Sequence, residues 1–597
     1  MKIKVSDYIA NFYLSKGIDK AFVLTGGCII HVIDSIGTLK GIDYVPMLHE
    51  QSAAMAADAY ARVTGKPGLI AVTSGPGATN LLTGICCSYY DSIPVIAITG
   101  QVPTNYLKQN IETRQLGFQE TDVVSIFKSV TKYSKLIENA KDIRYELEKS
   151  YYIANTGRKG PVLLDICENV LFSYVNEKEL NGFSIEHEKL ENKFDEINTD
   201  LIYEEIVKSN RPILVLGGGV RNSVEKKELL KLVDKLSIPV MLTWGGFDLI
   251  DHNHRLFAGG FGVTSPRSGN FNIQNADLII SIGTRFDTHE IGTKPETFAR
   301  NARKIVVDID QGEINKYKDI GLKIDISVLS PADLFIDSML LNNKYIIKEN
   351  LIWREKIKEW KNRYPICTKS HIEQKKYVNP YAFFNVLEKY IPNNSVVVTD
   401  CGSNLIWTMQ SLSLKNNQQV ISAFNHSPMG YSMAASIGAA IAEPERTIVC
   451  IIGDGGFYIN VQELAVISKH KLKIKIFVMN NHCHGIIQGT QNAWLEGRHH
   501  ASSPDYGMLP DPNITKIGLS YDIKTINVDL NEKINEILNI VFSNSDPELI
   551  NLHMLQENQI EPKLMHGRPI EDSHPLLSRE ELSSNMLIPI IDIVGKI

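Results

Sequence analysis

Eight short apolar runs constrain the fold more than anything else in this chain. They are GLIAVTSG (68–75), PVIAITG (94–100), PILVLGGG (212–219), ADLIISIGTRFD (276–287), KIVVDID (304–310), NSVVVTDCG (394–402), TIVCIIGDGG (447–456) and IKIFVMNN (474–481). Each is of strand length, rich in β-branched residues and apolar on both faces, and amphipathic stretches separate them. A strand apolar on both faces has to be covered on both, which is the condition of a parallel sheet wrapped by helices. The expected class is α/β, with doubly wound parallel sheets. Most of the runs finish on Gly, Asp, Asn or Thr, and open parallel sheets take their ligands outside the carboxyl ends of the strands. The polar residues thus stand where a ligand is expected.

Two stretches break the strand-helix rhythm: a Glu-rich segment from about Tyr174 to Asp200, and a Lys-rich one from about Leu340 to Tyr377 carrying Trp353 and Trp360. Read as linkers, the second helical, they divide the chain into three α/β domains over 1–173, 195–340 and 375–560, with a polar, proline-containing tail over 561–597. No short-period repeat or low-complexity segment interrupts them.

A chain of 597 residues, 43% apolar and 22% charged, has the composition of a soluble multidomain protein. A net charge of -6 carries no nucleic-acid signal. The N-terminus MKIKVSDYIANFYLSKG lacks an apolar core of signal-peptide length, and no run is long enough to span a membrane, so a cytoplasmic location is expected. The eight cysteines include adjacent Cys86 and Cys87 but no CxxC pair, which suggests buried thiols rather than zinc or disulfides.

The stretch VCIIGDGGFYIN (449–460) ends a buried run on a carboxylate among glycines. Asp454 is followed 27 residues later by Asn481, across the helix-patterned NVQELAVISKHKL and the strand IKIFVMNN. One right-handed crossover of that length brings both side chains to the same edge of adjacent strands. A carboxylate and an amide oxygen would converge there, a donor set suited to Mg²⁺, which prefers oxygen ligands and is commonly shared with substrate phosphates. Gly453, Gly455 and Gly456 would let backbone N–H groups approach phosphate oxygens at a helix N-terminus. An isolated Asp-Gly is an ordinary turn; the paired spacing is what points to a metal and a diphosphate.

GDGGF…NN resembles the diphosphate motif of thiamine diphosphate (ThDP) enzymes, and over about residues 1–560 the chain resembles acetohydroxyacid (acetolactate) synthase catalytic subunits. The resemblance implies an N-terminal pyrimidine-binding domain, a central domain and a C-terminal diphosphate-binding domain. It also implies an active site shared between subunits, hence a homodimer or homotetramer, and a small 2-oxoacid such as pyruvate as substrate. By the motif's register the metal ligands are Asp454, Asn481 and the backbone carbonyl of Cys483. TDCGSN resembles the family's TDVGQH loop, which places Gly402, Ser403 and Asn404 on the diphosphate; Gly27 and Cys28 are expected on the cofactor from the pyrimidine side.

Glu50 opens a small-residue helix in PMLHEQSAAMAADAYARVTGKPG, where by itself it reads as a first-turn acid complementing the helix dipole. The following TSGPGATN (73–80) and ITGQVPT (98–104) resemble the synthase pyrimidine domain, in which the matching glutamate hydrogen-bonds N1′ of the aminopyrimidine. A carboxyl group there can trade a proton with N1′, so that the cofactor's 4′-imino form serves as base toward C2–H. NHSPMGYSMAASIGAA (425–440) resembles the family's GxxGTMGxGxPAAIGA stretch, which makes Met429 the wedge that bends the cofactor and puts the Ser427 carbonyl at the 4′-amine. A methionine of this kind otherwise reads as core filler.

The substrate side departs from the family. Synthases carry NNxxxGMVxQWQ, whose tryptophan favours 2-ketobutyrate as acceptor; this chain has Gly489-Thr490-Gln491, so that selectivity is not expected here. His482 and His484 are further departures, readable as acid/base or acceptor contacts or as loop histidines. Phe118 and Gln119 match residues facing the substrate, Gln119 in a catalytic role, and the preceding NYLKQNIETRQLG is longer than in synthases. The tail HPLLSREELSSNMLIPIIDI resembles ThDP enzymes of surface-polysaccharide clusters.

In the central domain, RPILVLGGGV, SIGTRFD and VVDIDQGEI resemble the flavin-binding domain of synthases, with Gly217, Gly218, Gly219, Thr243, Arg285 and Asp308 at matching positions. FAD is a cofactor the resemblance allows, although flavin-free decarboxylases keep similar glycines. The leading reading is a carboligase that decarboxylates pyruvate and transfers the hydroxyethyl unit to a second carbonyl. The others are the same donor chemistry with a keto-sugar nucleotide or another ketone, a simple 2-oxoacid decarboxylase, and an inactive cofactor-binding paralogue.

Overall fold

A computed structural model describes residues 2–591 apart from 109–110, 189–193, 222, 416 and 508–511. Its three large sheets are entirely parallel. The N-terminal sheet has the order Asp43–Pro46, Lys20–Leu24, Gly68–Val72, Val95–Gln101, Val162–Cys167, Tyr133–Ile137. The C-terminal sheet runs Gln419–Ile421, Ser395–Thr399, Thr447–Gly453, Ile474–Asn480, Glu548–His553, Lys524–Val528. Ranked by position along the chain, the strands follow the same order in both, so the two sheets share one topology. The central sheet has five strands, Val240–Leu242, Pro212–Leu216, Leu278–Ile282, Arg303–Asp308 and Ile326–Leu329. All eight apolar runs are strands of these sheets.

The alternation along each strand shows why both faces had to be apolar. In the central sheet Leu214, Leu216, Ile280 and Ile282 belong to one core, while Ile213, Val215, Met241 and Ile279 belong to another on the opposite face. Between the two outer sheets lie the helices Glu50–Thr64 and Tyr431–Ala442, each following the second strand of its own sheet. Both are rich in Ala, and residues 431–440 are buried throughout. Small side chains let the two backbones approach: a Cβ on Gly438 would run into the Ala56 carbonyl. Asp58, fully buried between them, accepts from Ser88 Oγ (2.8 Å) and Tyr431 Oη and pairs with Arg62.

The end of the chain closes over the central domain. Ile570, Leu582, Met586 and Ile588 join one of its two cores, and Asn275 accepts from the Leu587 N–H (2.6 Å) while donating to the Asn585 carbonyl (3.0 Å). Trp360, in the helix Leu351–Arg363, donates to Asn585 at 2.9 Å. Among the described residues, no helix is long and apolar enough to cross a membrane.

Candidate active site

The carboxyl ends of Thr447–Gly453 and Ile474–Asn480, adjacent in the sheet, bring Asp454 and Asn481 together as the crossover requires. Asp454, Asn481 and Cys483 are all buried. Asp454 Oδ1 accepts from the Gly455 N–H at 2.7 Å. Burial pushes the Cys483 thiol up to about 12. Among the described residues, no group of three His, Cys, Asp or Glu side chains is placed to hold a metal. An ion at this edge would rest on a carboxylate, an amide oxygen and a backbone carbonyl, the hard-oxygen set Mg²⁺ prefers.

The neighbouring loops crowd onto the same spot. A Cβ on Gly485 would come 2.8 Å from Asn481 Nδ2 and 3.5 Å from Ser403 Oγ, and one on Gly453 would come 3.2 Å from Asn404 Nδ2. A Cβ on Gly455 would meet Met429 Cε at 2.8 Å and His484 Cε1 at 2.9 Å. Gly402 has φ +81°, a left-handed conformation that side chains resist. Ser427, also at positive φ (51°), precedes Met429 on the turn into the Tyr431 helix. Gly402, Ser403, Asn404, Met429, Gly453, Asp454, Gly455, Asn481, Cys483 and His484 thus form one cluster. Met429 keeps 36% of its surface exposed, unlike a core methionine.

Asp400 is the residue that motif reading passed over. It accepts from the Gly430 (3.0 Å) and Ser432 (2.9 Å) N–H groups, tying the Met429 turn to the TDCGSN loop. Its burial pushes the carboxyl up to about 6. Gly456 has no side chain because one would overlap Asp400 Oδ2. Only the position of Asp400 in a quoted motif could have pointed to it.

In the N-terminal domain, Glu50 is buried at the first turn of its helix and accepts from Asn80 Nδ2 at 2.9 Å. A Cβ on Gly77 would lie 3.5 Å from Glu50 Oε1, and one on Gly75 would lie 2.8 Å from the Gln119 carbonyl. Cys28 Sγ accepts from Ser74 Oγ at 3.5 Å, and nothing stands within 4 Å of a Cβ on Gly27. Glu50, Gln119 and the Gly27-Cys28 turn therefore all abut the TSGPGATN loop. Phe118 does not join them; it is 86% exposed. The long loop before it is pinned by Glu120, which accepts from the Lys108 (2.6 Å) and Leu116 (2.7 Å) N–H groups; residues 109–110 lie outside the described residues.

Ser52 donates to Asn460 (3.2 Å) and Leu48 N–H to Glu463 (3.2 Å), joining the two outer domains beside the helix pair. Among the described residues, Glu50 has no hydrogen bond to the Asp454–Asn481 cluster. Thr490 is exposed on the helix Gly485–Trp494, and the His482 and His553 rings stack.

A cavity of about 700 Å³ opens where the three domains meet, with Arg62, Tyr90 and Arg158 of the N-terminal domain on its wall. Gly218, Gly219, Thr243, Arg285 and Asp308 line it, with Gly402, Ser427 and Ile486 at its other side. Gly217 instead packs against the Gly283 carbonyl. Burial pushes Asp308 up to about 6 and Glu290, also on the wall, up to about 8.

Three parallel-sheet domains, with an oxygen-donor cluster at one strand edge and a buried glutamate at another, define a protein built to bind an extended phosphorylated cofactor. Family models agree: the thiamine pyrophosphate enzyme N-terminal TPP binding domain matches residues 3–126, the central domain 200–338 and the C-terminal TPP binding domain 400–552. The chain belongs to the thiamine pyrophosphate enzymes. It is similar to the acetolactate synthase large subunit of Lactococcus lactis, 30% identical over 551 residues that cover 92% of each chain. The acetolactate synthase large subunit of Cyanidium caldarium is 32% identical over 557 residues, again 92% of each. That of Parasynechococcus marenigrum is 31% identical over 575 residues, 95% of this chain and 90% of the relative.

Proposed function

We propose that the protein is a ThDP-dependent carboligase: it decarboxylates pyruvate and joins the remaining two-carbon unit to a second carbonyl, with pyruvate as acceptor giving 2-acetolactate. What supports this reading is that Asp454 and Asn481 stand at adjacent strand ends beside Ser403, Asn404 and Met429, in a chain similar along most of its length to acetolactate synthases. When bound, ThDP supplies the stabilised carbanion equivalent that no side chain can supply. Asp454, Asn481 and the Cys483 carbonyl would hold Mg²⁺ against the diphosphate. Met429 would fix the angle between the cofactor's rings, Ser427 would accept from the 4′-amine through its carbonyl, and Glu50 would hold or release a proton at N1′.

Two further parts belong to the proposal. Among the described residues no hydrogen bond joins Glu50 to Asp454 or Asn481, and Phe118 and Met429 are exposed; a second copy covering them would complete the site. The central cavity has the size of a cofactor pocket and the glycine approach of a dinucleotide site. Gly218, Gly219, Thr243, Arg285 and Asp308 would hold FAD there. Flavin released on denaturing the purified protein supports that assignment; a colourless protein rejects it.

Product analysis with pyruvate alone tests the activity. One CO₂ and one acetolactate for every two pyruvates consumed is the expected balance. Acetaldehyde in place of acetolactate marks a decarboxylase, and the absence of ThDP-dependent CO₂ release rejects the reading.

A further inference from the structure

Gly489 leaves a gap on one side of the helix Gly485–Trp494, and a cation stands in it. A Cβ built on Gly489 would come 3.7 Å from Lys563 Nζ and 3.8 Å from Gln559 Oε1. A longer side chain would take the volume that the ammonium occupies. Lys563 is delivered by the segment that follows the C-terminal sheet, and its backbone is held from both sides. The Pro562 carbonyl accepts from Gln410 Nε2 at 2.9 Å, the Leu564 N–H donates to the Val263 carbonyl at 2.7 Å, and Lys563 itself pairs with His574 in a short antiparallel ladder.

The ammonium is half-buried, yet among the described residues it makes no ion pair and no hydrogen bond. Burial alone lowers its pKa. Lys475, in the same domain, shows the usual solution: it is buried against Glu548 (3.3 Å), Asn544 (2.9 Å) and the Asp546 carbonyl (2.7 Å). A partly desolvated charge without a partner is costly and is tolerated where an outside group completes it.

The same helix leads to the cofactor cluster. His484, just before its first residue, is one of the two groups that crowd Gly455, and Gly489 lies four residues beyond Gly485, about 6 Å along the axis. A carbonyl reacting at the Gly455–His484 end would thus have Lys563 more than a helical turn away. The pyruvate carboxylate is bonded directly to its carbonyl carbon and cannot span that distance.

We propose that Lys563 is a specificity-determining residue, binding the carboxylate or phosphate of a ketone acceptor whose anionic group lies several bonds from the reacting carbonyl. This rests on the carboligase reading and names the acceptor class that reading leaves open.

Paired acceptors test it, with pyruvate as donor and ThDP and Mg²⁺ present: levulinate against methyl levulinate for a carboxylate, dihydroxyacetone phosphate against dihydroxyacetone for a phosphate. In at least one pair the wild type should use the anionic member with kcat/KM about tenfold higher or more, the scale of one charge-assisted hydrogen bond. Lys563→Gln should bring that ratio close to one, and Lys563→Arg should keep most of it. Because the ratio is taken within each enzyme, a general loss of activity does not mimic the effect. Equal use, or equal non-use, of both members by the wild type overturns the inference, as does an unchanged ratio in Lys563→Gln. Loss of ThDP-dependent CO₂ release from pyruvate in the wild type overturns the carboligase reading and this inference with it, whereas intact release without discrimination overturns the inference alone.

Discussion

Asp400 and Gly456 are a matched pair: the carboxylate of the first occupies the place where a side chain on the second would begin. The carboxylate is committed to the Gly430 and Ser432 N–H groups, so it cannot retreat without releasing the turn that presents Met429. Gly456→Ala should cost about 1–3 kcal/mol, the range for stranding buried hydrogen-bonding groups, and weaken ThDP binding together with stability. A thermal midpoint within a degree of wild type would show that Asp400 has room to move.

Glu50→Gln keeps the hydrogen bond to Asn80 within reach but removes the exchangeable proton. Pyruvate-dependent CO₂ release should fall by about 10²-fold or more, the scale of a lost acid-base group, with circular dichroism and ThDP affinity little changed. Near-normal turnover would remove Glu50 from the mechanism.

The proposed sharing of the site between two copies makes a further prediction. Glu50→Gln and Asp454→Asn chains, each inactive alone, should regain about a quarter of wild-type activity when co-folded at equal amounts, because half the dimers then carry one intact site of two. No recovery in isolated hybrid dimers would place both residues in one chain's site.

Glu463 gives the pH dependence of stability a direction. It is fully buried and accepts from the Leu48 N–H, and burial raises its carboxyl from an ordinary 4.5 to about 7. Below the unfolded value both states are protonated and nothing is lost. As pH rises from about 4.5 to about 7 the unfolded chain ionises first, so stability falls by roughly 3 kcal/mol and then levels off. Urea unfolding at pH 5 and pH 8 should show this decline in the wild type and a smaller one in Glu463→Gln; equal declines would contradict it.

What the sequence disclosed and what it hid follow from the same physics. The runs at 447–456 and 474–481 were legible because central strands of a parallel sheet are apolar on both faces. Edge strands are not: Asp43–Pro46, Tyr133–Ile137 and Lys524–Val528 mix polar with apolar residues and are only partly buried, so they carry no such signal. The Asp454–Asn481 pair announced itself because one crossover fixes its spacing. Asp400 and Glu463 did not, since their partners are backbone N–H groups that leave no mark in the sequence. Lys563 was hidden differently. Its meaning depends on a glycine 74 positions earlier, and only folding puts the two side by side.

Calorimetric titration of ThDP into metal-free protein, with and without Mg²⁺, tests the account most directly. Binding should require the ion in the wild type and in Glu50→Gln, and be lost in Asp454→Asn. Equal ThDP affinity without Mg²⁺, or in Asp454→Asn with it, would contradict the assignment of the strand-edge cluster as the diphosphate site.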